Sequence, residues 1–364
     1  MNVTKKVGIV TICDTNYGNR LQNFALQQVI LQLGNEVETL YFHDMSKAYY
    51  LRHTVSPLRR TLKAFVPVCL IRRKHFRERN FWENACGQFT QKYILSKTIE
   101  IKRPRDIKRR INPDNYDCFI VGSDQVWNPK FAGDDYFFLT FARDNQKNAY
   151  AASIGYELIP EKFEKIWYRF WRSFRNITVR EEAAANIVFK ATHSMPEVVL
   201  DPTFLLEKKE WDDMADGGAL PKELADITVR KYTLLFFIGE MPKEAAEYKR
   251  KNRTHVVDIS DRSNAVCQNI GPAEFVRLIK DSETIWTDSY HCLVFAVIFC
   301  KNYRVFKRIT PGVKNMTSRM EQLFKLTGLG YVMETGEYEE AQKRLAIKRK
   351  ESIEILKHII NGQE

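Results

Sequence analysis

The 364-residue chain has room for two domains of ordinary size, and its 44% apolar and 28% charged content is that of a globular protein rather than a disordered one. No run approaches the ~20 apolar residues that cross a bilayer, and Lys5-Lys6 precede only the short apolar run Val7–Ile12 without a cleavage site, so no secretory signal is expected. The excess of 57 Lys and Arg over 45 Asp and Glu gives a net charge of +12, which points to an anionic surface as a partner.

In chain order, Val7–Ile12 reads as a strand, followed by a polar turn around Asp14–Asn19. A helical pattern then recurs through Leu21, Phe24, Ala25, Gln28, Val29 and Leu33, and Val37–Phe42 reads as a second strand, completing a β-α-β unit with parallel strands. Its turn has one glycine where a dinucleotide fingerprint needs three, but it presents Asn16, Tyr17, Asn19 and Gln22 near the sheet's carboxyl edge. Residues from about 44 to 110 are basic and weakly periodic and read as helical insertions.

Asp117–Val121 is a buried strand ending in Gly122–Asn128, and Asn148–Gly155 is another. Ile177–Val179 ends in Arg180 before the helix Glu181–Phe189, and Val198–Leu200 runs into Asp201-Pro202. A residue before proline is pushed out of the helical region, so the chain turns there. The expected division is an N-terminal α/β domain over residues 1–200, a C-terminal α/β domain over 201–335 and an amphipathic helix over 336–364. In the second domain Tyr232–Ile238, Val256–Ile259, Thr284–Trp286 and Tyr303–Phe306 are strands, with a helix over Pro272–Ile279. The expected fold class is α/β, two Rossmann-like domains facing across a cleft.

Several apolar strands thus end in polar clusters, where open α/β sheets bind ligands. Asp288, Ser289 and His291 lie between a strand and an apolar helix, so an N-cap role competes there with a site. The seven cysteines (13, 69, 86, 118, 267, 292, 300) form no CxxC pair or zinc spacing and read as reduced thiols of a cytoplasmic protein. His291 and His255 have no spaced carboxylate or histidine partners, so no metal is expected. The residues point to anion handling by arginines, Arg180 above all, with one histidine for proton transfer. Arg180 also has a structural reading, an ion pair with Glu181 or Glu182. Arg308 and Arg319 follow the last strand, and Arg319 begins a helix that could seat a phosphate.

The clusters together resemble the polysaccharide pyruvyl transferase family. The carrying motifs are Tyr17–Gln27, Gly122–Asn128, Tyr150–Gly155, Val179-Arg180-Glu181, Leu200–Thr203, Thr287–His291, and Ser318-Arg319 with Thr327–Leu329, in family order across about residues 5 to 332. The resemblance implies a GT-B-like fold and transfer of a pyruvyl group from phosphoenolpyruvate to two sugar hydroxyls, forming a cyclic ketal, with no cofactor besides the donor. It implies that Arg180 holds phosphoenolpyruvate and that His291 is the general acid. Many members read Ser-Arg-x-His where this chain has Asp288-Ser289-Tyr290-His291, so the donor would rest on Arg180, Arg319, Arg308 and Ser289. Asp288, Asp124 or Asp14 would take the hydroxyl proton. Asn16, Tyr17, Asn19, Gln22 and Asn128 would contact the acceptor.

The acceptor implied is a saccharide of a surface (capsular or exo-) polysaccharide or of its precursor carried on a lipid diphosphate. Eight basic and no acidic residues between Arg52 and Arg77 suit peripheral contact at the inner face of the membrane, and no nucleic-acid module accompanies them. Two rival readings are a GT-B glycosyltransferase using a sugar nucleotide and a non-catalytic glycan-binding member.

Overall fold

The structure, a computed structural model, describes residues 3–13, 16–44, 85–101, 107–129, 135–261, 264–308, 318–334 and 336–362. The expected basic segment Arg52–Arg77 and the candidate base Asp14 lie outside them.

A seven-stranded sheet takes the order β3-β2-β1-β4-β5-β6-β7, and every pairing in it is parallel. Its strands are β1 (Lys6–Val10), β2 (Glu36–Asp44), β3 (Ser96–Ile101), β4 (Cys118–Val121), β5 (Lys147–Ala152), β6 (Asn176–Val179) and β7 (Glu197–Val198). The inner strands β4 and β5 are buried at every residue, as parallel strands covered on both faces must be. The strand order reverses between β1 and β4, which creates a crevice at their carboxyl ends.

The second sheet has the order β12-β11-β10-β8-β9, with β8 (Thr233–Phe236), β9 (Val256–Asp258), β10 (Thr284–Thr287) and β11 (Asn302–Val305) parallel and β12 (Val332–Met333) antiparallel at the edge. Its order reverses between β8 and β10.

Six helices frame the site. They are α1 (Tyr17–Gln32), α2 (Glu182–Thr192), α3 (Pro272–Asp281), α4 (Tyr290–Ile298), α5 (Ser318–Thr327) and α6 (Glu339–Asn361). Every residue of α4 is buried, which its continuous apolar run dictates. One apolar core runs from β1 and α1 through α3 and α4, so the two sheets share a packed seam. Tyr17 belongs to that seam: its ring stacks on Phe275 at 4.6 Å and lies 5.8 Å from Phe236. Helix α6 returns to the first sheet, where Ser352 Oγ accepts from the Leu200 amide at 3.1 Å and Arg349 Nε donates to the Phe204 carbonyl at 2.6 Å.

Candidate active site

The carboxyl ends of β4, β6 and β7 meet the start of α4. Arg180, the first residue past β6, is the hub. Its guanidinium pairs with Asp201 through Nη1, reaches Asp124 Oδ1 through Nη2 at 3.2 Å, and places Nε 4.0 Å from Glu181 Oε2. The expected partner Glu181 is thus the distant one. Its other oxygen instead accepts from Ser153 Oγ at 2.8 Å and the Ile154 amide at 3.2 Å, fixing the loop after β5.

Asp201 is 1% exposed and fully engaged. Oδ1 accepts from the Thr203 amide at 3.1 Å and the Thr203 hydroxyl at 2.7 Å, while Oδ2 lies 3.2 Å from Ser123 Oγ. His291 Nε2 stands 3.7 Å from Oδ2, outside hydrogen-bond range but within an ion-pair distance. Burial alone would raise the Asp201 carboxyl, yet Arg180 and His291 hold it well below the usual carboxylate range. The same opposition holds Asp124 down: burial raises it, and Arg180, His291 and Arg319 outweigh that. Both acids are therefore anionic at neutral pH.

Tyr290 separates two cations. Arg180 lies over its ring at 4.6 Å and Arg319 at 5.4 Å, close enough for cation–π attraction to both. Arg319, on α5, is 7% exposed and lies 3.8 Å from Asp124 Oδ1, and it has no hydrogen-bond partner among the described residues. Burial and the neighbouring Arg180 push its guanidinium down to about 10, the mark of a cation short of negative charge. Arg180 Nε, Glu181 Oε2 and His291 Nε2 are likewise buried without hydrogen-bond partners. A cavity of about 400 Å³ opens beside Arg180 and Arg319, lined by these two with Asp201, Tyr290 and apolar Leu200 and Phe204; Glu181 and His291 are not among its lining residues. That volume is of the size that small-molecule sites take.

Other expected site residues occupy different settings. Both Asp288 oxygens accept backbone amides, from Ile238 at 2.7 Å and Gly239 at 2.8 Å, and Arg308 Nε lies 3.4 Å away. Asp288 thus braces the loops after β8 and β10. Arg308 Nη2 donates to the Asp288 carbonyl at 3.0 Å, and Ser289 caps α4, its hydroxyl accepting from the Cys292 amide at 3.4 Å. Gln22 is a buried strut: its amide donates to Thr11 Oγ1 at 2.7 Å and accepts from the Ser123 amide at 3.0 Å, joining the loops after β1 and β4. Tyr17 is in the seam, Asn16 caps α1 by accepting from the Gly18 amide at 3.0 Å, and Asn19 is buried on the same helix. Asn128 lies 3.3 Å from Gln125 Oε1. Asp201 and Tyr290 are not among the expected site residues, although Leu200–Thr203 and Thr287–His291 are among the motifs that carry the family resemblance.

Two sheets, parallel but for the edge strand β12, joined at their carboxyl ends, with a C-terminal helix crossing back, define the GT-B-like class. Solved structures agree at the level of fold. Staphylococcus aureus MnaA in complex with UDP superimposes with a TM-score of 0.52 at 13% identity, covering 98% of this chain and 96% of that one. HepE of Anabaena, in complex with UDP and glucose, gives 0.50 at 9% identity, covering 98% and 100%. The family model for polysaccharide pyruvyl transferase matches residues 16–306, and the chain belongs to that family. No curated protein matches the chain by sequence.

Proposed function

We propose that this chain transfers a pyruvyl group from phosphoenolpyruvate to two hydroxyls of a sugar in a surface polysaccharide or its lipid-linked precursor. The observation that carries the reading is Arg319, a buried guanidinium without a hydrogen-bond partner among the described residues, beside Arg180 on the cavity wall. Phosphoenolpyruvate carries nearly three negative charges, and charge-assisted hydrogen bonds from paired guanidiniums are the strong way to hold them. Arg319 binds the donor with its unspent donors, beside the Arg180 guanidinium on the same cavity wall.

His291 then protonates the donor's methylene carbon, making C2 electrophilic. A sugar hydroxyl adds to C2 and gives its proton to Asp124. The C2–O bond to phosphate breaks, phosphate leaves with the proton taken up by Asp124, and the neighbouring hydroxyl closes the ketal and returns its proton to His291. Asp201 Oδ2, 3.7 Å from Nε2, faces the imidazole that delivers this proton.

The UDP held by MnaA and HepE belongs to those proteins. In this chain Asp288 takes up the Ile238 and Gly239 amides at the strand reversal of the second sheet, a usual ligand position in open sheets, which supports a non-nucleotide donor. Incubation with phosphoenolpyruvate and lipid-linked oligosaccharides should release phosphate and add a pyruvyl group by mass spectrometry. His291→Ala should slow this by ~10²–10⁴-fold. Phosphate release without a mass increase on any acceptor, or transfer unchanged in His291→Ala, contradicts the reading.

A further inference from the structure

Gly18 is the second residue of α1, and its backbone does not explain why it is glycine. It is helical without a left-handed φ, and alanine is the better helix former there. Its surroundings do explain it. A Cβ at residue 18 would lie 2.0 Å from His291 Nδ1, 2.4 Å from Cγ and 2.7 Å from Cε1. The imidazole therefore rests directly on the bare Cα.

The ring has little room to retreat. His291 is 6% exposed, Asp201 Oδ2 stands 3.7 Å from Nε2, and the Tyr290 ring lies edge-on at 5.2 Å. Rotating the ring in place does not help, because three of its atoms crowd the same point. Gly18 follows β1 of the seven-stranded sheet and His291 follows β10 of the five-stranded sheet, so the contact crosses the seam. Next to it, the stack of Tyr17 on Phe275 fastens α1 to α3.

We propose that Gly18 is a positioning residue: the missing side chain makes the seat that fixes the His291 imidazole against Asp201, so the proton donor is set only where α1 of one sheet meets α4 of the other. The role in transfer rests on the pyruvyl-transfer reading; the seat itself does not. The test is a cycle of Gly18→Ala, His291→Ala and the double variant, read by thermal melting, by phosphoenolpyruvate affinity and by phosphate release. Gly18→Ala alone should lower the melting temperature and reduce turnover by ~10²-fold, as a catalytic group displaced by an ångström does, with donor affinity nearly unchanged. In the His291→Ala background the same substitution should no longer destabilise, because the ring it strikes is gone. Equal destabilisation in both backgrounds, or turnover within about threefold in Gly18→Ala, overturns the proposal. Coupled melting in a parent chain that releases no phosphate would keep the seat and sink the pyruvyl-transfer reading instead.

Discussion

Asp201 and Asp288 look alike: each is a buried aspartate just past the end of a parallel strand, 1% and 2% exposed. Their partners differ. Asp288 is satisfied mainly by the backbone, through the Ile238 and Gly239 amides, with Arg308 on its flank. Asp201 has one backbone amide, from Thr203, and otherwise faces side chains, two of them, Arg180 and His291, able to carry charge. A carboxylate held by amides fixes two loops and has no reason to change its pairing. One held among ionisable groups belongs to a charge network that an arriving anion can redistribute. The first half of the molecule thus supplies Arg180, Asp124 and Asp201, the second half supplies His291, Tyr290 and Arg319, and both line the cavity.

Removing the hub should break this contrast most severely. Arg180→Ala leaves Asp124 and Asp201 buried without their main counter-charge, which should cost about 3–5 kcal/mol in denaturant unfolding and abolish transfer. A loss below about 1 kcal/mol would mean that the network is not buried as described.

Acid titration should show the next effect. The folded Asp201 carboxyl is depressed below its unfolded value of about 3.9, so its contribution is fully present above that pH and is lost as the pH falls below it. Acid unfolding should therefore be steeper below about pH 4 in the parent chain than in Asp201→Asn. Identical slopes would remove the depressed acid from the account.

Asp288→Asn sharpens the comparison with the smallest effect on chemistry. Replacing one acceptor oxygen by an amide nitrogen leaves an amide facing a donor, which should cost about 1–3 kcal/mol of stability. Turnover in the folded fraction should stay within about threefold, because the group braces loops. A collapse of turnover at unchanged stability would restore Asp288 as a base.

Much of the fold was legible because buried parallel strands write themselves as short apolar runs. Asp117–Val121 and Thr284–Trp286 stand out this way, and the strands run Cys118–Val121 and Thr284–Thr287. Strand β3, Ser96–Ile101, did not: it is an edge strand whose Lys97 and Glu100 break the apolar signal, within a stretch read as helical insertion. In the site, Arg180, Arg319 and His291 were visible as single basic residues at element ends. The division of the aspartates was not, since whether a carboxylate meets amides or guanidiniums depends on strand order across the sheet. Gly18 was hidden for a related reason: its constraint comes from a ring 273 residues later in the sequence, carried by the other sheet.

The most direct measurement is a calorimetric titration of the protein with phosphoenolpyruvate and, separately, with UDP, repeated on Arg319→Ala. The account expects phosphoenolpyruvate to bind, UDP not to bind, and Arg319→Ala to weaken phosphoenolpyruvate by ~10–100-fold, the value of a charge-assisted hydrogen-bond pair. Binding of UDP but not phosphoenolpyruvate, or phosphoenolpyruvate affinity indifferent to Arg319, would contradict it.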